Sequence, residues 1–106
     1  MTVTWKISIH KLVLQEDFNS INPANQKIIF KDIRKKLGTE PRSYGKPLSG
    51  ELKGYWRLRV GCYRVIYKIR EDIIEVLVVK VGIRRDEEVY KEMSSRLKKL
   101  HDAYFS

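Results

Sequence analysis

The sequence predicts an α+β fold in the order β-α-α-β-β-β-α, with a mainly antiparallel sheet packed against a helical hairpin and a C-terminal helix. Three observations predict it. Val3, Trp5, Ile7 and Ile9 alternate with Thr4, Lys6 and Ser8, the period of a strand with one apolar face. Apolar residues then recur at helical spacing in two stretches, and again near the C-terminus. Between them, two alternating segments meet at Gly61-Cys62 and give way to the β-branched run Ile73–Val81. Such an order suits one sheet covered by helices, and a chain of 106 residues suits a single domain over residues 1–106.

Taken in order, the first strand is followed by Leu14, Phe18 and Ile21 at helical spacing. Asn22-Pro23 then reads as an N-cap with proline at the first helical position. The second helix carries Ile29, Ile33 and Leu37 as its apolar stripe, with Lys27, Lys31, Arg34, Lys35 and Lys36 elsewhere, and Gly38 as its stop. Thr39 to Gly54 is rich in Gly, Pro, Ser and charge and reads as a loop. The run Ile73–Val81 reads as a central strand covered on both faces. Asp86, Glu87 and Glu88 favour a helix N-terminus, and Val89, Met93, Leu97 and Leu100 supply the stripe of the last helix.

The chemistry concentrates in the hairpin Tyr55–Tyr67. Glycine first in a two-residue turn suits type II′, which requires φ > 0 there. A Gly61-Cys62 turn sets Val60 opposite Tyr63, Arg59 opposite Arg64, Leu58 opposite Val65 and Trp56 opposite Tyr67. One face then carries Trp56, Leu58, Val65 and Tyr67, a core face, and the other carries Arg57, Arg59 and Arg64. Arginines directly opposite each other repel, so this face calls for an anion. A solvated sheet face that happens to be rich in arginine is the plainer alternative.

The charge is uneven. The formal net charge is +9, and between Arg42 and Arg70 eight basic residues face one acid, Glu51. A focused basic field points to nucleic acid, an acidic protein or anionic lipid. Cys62 is the single cysteine, so no intrachain disulfide forms. His10 and His101 are far apart and neither has a cysteine nearby, so no metal site and no cofactor are expected. The N-terminal Met1–Lys6 lacks the apolar run of a signal peptide, and no stretch approaches a membrane span. A cytoplasmic protein that does not engage a membrane is the expectation.

Leu48-Ser49-Gly50-Glu51-Leu52-Lys53-Gly54-Tyr55-Trp56-Arg57-Leu58-Arg59-Val60-Gly61, then Tyr63-Arg64-Val65-Ile66-Tyr67, Val81-Gly82-Ile83-Arg84-Arg85 and Val89-Tyr90, resembles the RelE/ParE superfamily of toxins from type II toxin–antitoxin systems. The resemblance follows the element order of the whole domain, and its specific part runs from Lys46 to Tyr90. It implies a RelE-like fold and a partner, a cognate acidic antitoxin, that holds the toxin inactive in a hetero-oligomer. RelE-like members cut messenger RNA in the ribosomal decoding site, whereas ParE-like members poison DNA gyrase.

For the RelE-like site the resemblance implies catalytic roles for Arg64 on the scissile phosphate, Arg84 on the leaving group and Tyr90 in base stacking or proton transfer. Arg57 falls where a RelE-type protein has a catalytic lysine, Tyr55 where it has another, and Ile83 where some relatives carry a histidine. Arg59, Lys53, Tyr55, Lys46 and Arg85 are the accompanying RNA-binding candidates. Metal-free cleavage lets the ribose 2′-hydroxyl attack its own phosphate and needs a proton acceptor, a proton donor and cations on the developing charge. Arginine supplies the last through its fork of donors but stays protonated and is a poor base. The acceptor is therefore Tyr90, Tyr55, a displaced lysine such as Lys53, or a ribosomal RNA group.

Plainer readings stand beside these. Arg84-Arg85 with Asp86-Glu87-Glu88 also fits a surface ion-pair cluster, which contributes little to stability. Tyr90 also fits a half-buried aromatic. The leading expectation is a metal-independent, ribosome-dependent messenger RNA endoribonuclease that blocks translation. Its rivals are a ParE-like gyrase inhibitor and a noncatalytic basic RNA-binding module.

Overall fold

A computed structural model describes residues 4–83 and 85–105, with side chains through residue 100. Val3, Arg84 and the side chain of His101 lie outside the described residues. The strands are β1 (Lys6–Ile9), β2 (Lys46–Pro47), β3 (Trp56–Val60), β4 (Tyr63–Arg70) and β5 (Glu75–Gly82). The helices are α1 (Lys11–Gln15), α2 (Pro23–Asp32), the single turn α3 (Pro41–Tyr44) and α4 (Asp86–Phe105). The sheet order is β1-β5-β4-β3-β2, with β1 parallel to β5 and the other pairs antiparallel. The α+β class and the mainly antiparallel sheet are as the sequence predicts.

The hairpin has the predicted register, Trp56↔Tyr67, Leu58↔Val65, Arg59↔Arg64 and Val60↔Tyr63. Gly61 has φ +57 while Cys62 stays at negative φ, the φ pattern of a II′ rather than a I′ turn. The opposite ends of its two strands are held by Tyr67, whose hydroxyl donates to the Pro41 carbonyl at 2.6 Å. Gly45 lies against that phenol, where a Cβ would collide with the hydroxyl.

Each face of the sheet has its own apolar cluster. On one face Ile29, Ile33 and Leu37 of the α2 stripe pack against Leu58, Val60, Val65, Tyr67, Val76 and Val78. On the other, Val89, Met93 and Leu100 of α4 pack against Ile66 and Val79. A bulge permits this in β5: Ile66 pairs with Lys80 and Tyr67 with Val78, which leaves Val79 as the extra residue. The central strand is thus covered on both faces, as its near-continuous apolar run predicts. The second face, the arginine face of the hairpin, is the one α4 covers.

The local departures have physical causes. The first helical stretch stops at Gln15, and Asp17–Ser20 forms a 3-10 turn that rolls Asp17 inward and leaves Leu14 exposed. His10 caps α1 by accepting from the Leu12 N–H at 3.1 Å. Asn22 caps α2 as predicted, accepting from the Asn25 N–H at 2.9 Å. The turns Ile33–Leu37 widen to a π-helix before Gly38, which ends the helix with right-handed φ −71 rather than the left-handed cap expected of glycine. Of the strand predicted from Val3, which itself lies outside the described residues, the described part is Lys6–Ile9, and the Trp5 N–H donates to the Gly38 carbonyl at 2.8 Å instead of to the sheet. The strand predicted from Ile73 begins at Glu75, after a 3-10 turn and a left-handed Ile74 at φ 49. The loop predicted over 39–54 holds α3 and the edge strand β2, where Lys46 pairs with Arg57 and Pro47 with Trp56. Proline is tolerated there because an edge strand needs no inward N–H at that position. Among the described residues no helix is long and apolar enough to cross a membrane.

Candidate functional site

Strand alternation brings Arg57, Arg59 and Arg64 to one face of the β3–β4 hairpin, and α4 starts beside them. The three guanidiniums converge on one carboxylate, that of Asp86, the first residue of α4. Arg57 Nη1 donates to Asp86 Oδ2 at 2.8 Å and Arg59 Nη2 to the same oxygen at 3.0 Å, while Arg64 Nε donates to Oδ1. Arg64 is held in orientation from behind, its Nη1 donating to the carbonyls of Gly61 at 3.1 Å and Tyr63 at 3.0 Å. The anion that the arginine face demands is therefore supplied from within the chain. This offsets the repulsion of the opposed Arg59 and Arg64.

Burial divides the three arginines. Arg57 is only 9% exposed, and its Nε is buried without a hydrogen-bond partner among the described residues. The Arg59 side chain is 59% exposed and forms the solvent edge of the cluster. Beside them opens a cleft of about 400 Å³ lined by Lys46, Leu48, Ser49, Glu51, Arg57, Arg59, Asp86, Tyr90 and Ser94. Tyr90 sits one turn after Asp86 on α4, half-buried against the apolar cluster under that helix. Burial pushes its phenol up, the neighbouring arginines pull it down and the Asp86 charge pushes it up again; the net is upward. The phenol is therefore protonated at neutral pH and holds its proton more firmly than a free tyrosine.

The sequence candidates divide accordingly. Arg57, Arg59, Tyr90 and Lys46 border the cleft, and Arg64 joins the same cluster through Asp86. Tyr55 packs beneath α4, with Lys68 Nζ 5.8 Å from its ring centroid, and burial pushes its phenol up as well. Lys53 is exposed in the turn before Gly54, and Arg85 is exposed ahead of α4 with its carbonyl accepting from the Glu88 and Val89 N–H groups; neither borders the cleft. Arg84 lies outside the described residues.

Two features escape sequence reasoning. Asp86 reads locally as a helix-start acid, and only the packing of α4 over the hairpin reveals its partners. The other is a buried ion-pair network at the middle of α4. Asp17 receives a fork from Arg96, at 2.8 Å and 2.7 Å, together with Lys80 Nζ at 3.1 Å and the Val81 N–H at 2.8 Å. Arg96 also donates to the Val79 carbonyl at 3.0 Å, and Lys80 pairs with Glu92 at 3.2 Å. This network clamps α4 to β5 and thereby fixes where Asp86 and Tyr90 stand. A lysine near the end of the run Ile73–Val81, whose other charged residue is Glu75, is the one signal of it in the sequence.

The Asp86 cluster carries a pH signature. Burial works to raise the Asp86 pKa, and the hydrogen bonds from Arg59 and Arg64 with the charges of Arg57 and Arg59 outweigh it, moving the group from 3.8 to about 2. A depressed folded-state pKa contributes stability above the unfolded value that is lost as pH falls through the folded one. Thermal melts of the wild-type protein should therefore lose a stabilising contribution between about pH 4 and about pH 2. Asp86→Asn should flatten that part of the curve; an identical acid limb in the two proteins would show that the carboxylate is not held by the arginines.

Residues 14–88 match the model of a family described as the ParE toxin of type II toxin–antitoxin system, parDE. Toxin RelG of Mycobacterium tuberculosis is 40% identical over 50 residues, 47% of this chain and 58% of that protein. The chain thus spans little more than half the length of that curated relative. The crystal structure of the toxin–antitoxin complex RelBE2 from Mycobacterium tuberculosis contains a chain that matches with a TM-score of 0.74 at 27% identity, over 81% of this chain and 98% of that one. A chain of the archaeal RelE–RelB complex from Pyrococcus horikoshii matches with a TM-score of 0.60 at 27% identity, over 78% and 98%.

Proposed function

From the premise that this chain belongs to the ParE toxin family of type II toxin–antitoxin systems, within the RelE/ParE superfamily, we propose that it is a metal-independent, ribosome-dependent messenger RNA endoribonuclease that inhibits translation. The observation that carries the reading is the convergence of Arg57, Arg59 and Arg64 on one anion position, with Tyr90 on the adjoining cleft wall. Guanidinium forks suit the nonbridging oxygens of a phosphodiester. In the proposed reaction the ribose 2′-oxygen bonds to phosphorus, the bond from phosphorus to the 5′-oxygen breaks, and the arginines stabilise the negative charge that builds on the nonbridging oxygens. Tyr90, protonated, supplies a proton to the departing 5′-oxygen. Glu51 at the cleft edge or a ribosomal RNA group takes the proton from the 2′-hydroxyl, since the arginines stay protonated. Arg84 adds charge at the leaving group, the role the family resemblance implies.

The proposed partners are an acidic antitoxin, the ribosome and messenger RNA. The antitoxin is supported by the basic surface of this chain and by the two matched structures, both of which are toxin–antitoxin complexes. A second reading, ParE-like inhibition of gyrase, draws support from the description of the matched family. Induced expression with 5′-end mapping of transcripts, beside a plasmid supercoiling assay, separates the two. New ends inside translated codons with normal supercoiling are expected. Intact transcripts with gyrase-linked DNA breaks would reverse the assignment.

A further inference from the structure

The arginine cluster has an occupant of its own. Asp86 spends both carboxylate oxygens on the three guanidiniums, yet a donor of the most buried one, Arg57 Nε, has no hydrogen-bond partner among the described residues. A flat carboxylate thus leaves part of the seat unused, and a tetrahedral oxyanion has oxygens in additional directions. The seat is reachable from outside, because Arg59 forms its exposed edge and the cleft opens next to it. Asp86 is held by the three guanidiniums themselves, and it stands at the end of its helix. It is the first residue of α4, preceded by exposed Ile83 and Arg85, and its side chain is 24% exposed. The body of α4 is anchored further along, by Val89, Met93 and the Arg96–Asp17 fork. Rotation of one side chain therefore empties the seat without the helix leaving the sheet.

We propose that the Asp86 carboxylate is a displaceable internal ligand of the Arg57–Arg59–Arg64 seat, and that an RNA phosphate binds by exchanging with it. Resting on the nuclease reading, this makes Asp86 a specificity-determining residue. A phosphodiester carries one charge, as Asp86 does, and Asp86 is tethered, so it competes at the high effective concentration of an intramolecular group. A lone phosphodiester in free RNA gains little from the exchange. A strand held in place by other contacts, as on the ribosome, gains the full interaction. Dependence on the ribosome is then partly built into the toxin itself.

Apparent affinity falls by the fraction of molecules whose seat is open. An Asp86 that fills the seat about nine-tenths of the time hides about tenfold in affinity. The test is calorimetric titration of the purified full chain with inorganic phosphate in a phosphate-free buffer. Asp86→Asn, close to isosteric, should bind phosphate about tenfold or more tightly than wild type, and adding Arg64→Ala should cancel the gain. Glu87→Gln removes the same charge from the neighbouring position and should give almost none of it. Equal affinities for wild type and Asp86→Asn, or an equal gain from Glu87→Gln, would overturn the exchange. Wild type supplies a second measurement should Asp86→Asn misfold: saturating phosphate should shift the Arg64 Nε–H and Asp86 carboxyl resonances together, and an unmoved Asp86 would overturn it. No ribosome or RNA enters these titrations. A phosphate gain with intact transcripts would sink the nuclease reading alone, and cleavage without the gain would sink the exchange alone.

Discussion

Arg64→Ala should cut programmed-ribosome messenger RNA about a hundredfold or more slowly than wild type, because removing one positioned charge donor typically costs that much in rate. Arg64 is the best oriented of the three arginines. Two backbone carbonyls, those of Gly61 and Tyr63, fix one side of its guanidinium while Nε points at the anion position. Arg64→Lys keeps the charge but not the fork, so it should recover only part of the rate. Stability should fall far less than in Asp17→Asn below: Arg64 belongs to neither apolar cluster, its loss relieves the repulsion with Arg59, and Asp86 keeps Arg57 and Arg59 although the Arg64–Asp86 pair is given up. Tyr90→Phe is the complementary change. It keeps the ring and removes the proton, and general acid catalysis is worth on the order of a hundredfold to ten-thousandfold. Single-turnover cleavage measured beside thermal melts checks both. Full activity in Tyr90→Phe would reduce Tyr90 to a stacking role, and full activity in Arg64→Ala would remove the phosphate-binding role.

Asp17→Asn should produce the largest loss of stability. Lys80 and Arg96 are 8% and 5% exposed, and Asp17 is the buried carboxylate they share, with Glu92 and Glu16 as their more exposed second partners. Asparagine turns an accepting oxygen into an amide donor that faces two buried cations. Breaking a buried ion pair from one side costs about 3–5 kcal/mol, a large part of the roughly 5–15 kcal/mol that holds a domain folded. At this chain length the melting temperature should fall by on the order of 15 °C or more. The pair Lys99–Glu16 is the control. It lies at 3.8 Å with both side chains well exposed, so Lys99→Ala should cost less than about 1 kcal/mol. Comparable melts for the two variants would mean that the network does not clamp α4. Because Tyr90 and Asp86 ride on that helix, Asp17→Asn should also weaken the cleft.

The parts of this fold that were legible in the sequence are those that short-range periodicity determines. The hairpin register follows from strict alternation on both sides of a glycine turn, and α2 follows from Asn22-Pro23 and the stripe Ile29, Ile33 and Leu37. The break after Gln15 was not legible, because it serves ion pairs between Asp17 and residues 63 and 79 positions away. Strand β2 has two residues, too few to show a period. The bulge at Val79 is hidden because Val76, Leu77, Val78 and Val79 are all apolar, so the run shows no alternation that an extra residue could break. For the site, the sequence marked the arginines, and Lys46 and Tyr90 border the cleft they share. It did not mark the occupant: Asp86 lies 22 to 29 residues from its partners, and pairing it with them requires knowing that α4 covers the arginine face.

The most direct test of the central claim is the chemistry of the ends made when the purified protein meets a ribosome programmed with messenger RNA. Attack by the 2′-hydroxyl with departure of the 5′-oxygen predicts a break within the decoding-site codon, a 2′,3′-cyclic phosphate on one fragment and a 5′-hydroxyl on the other. Intact messenger RNA, or fragments bearing a 5′-phosphate, would contradict the account.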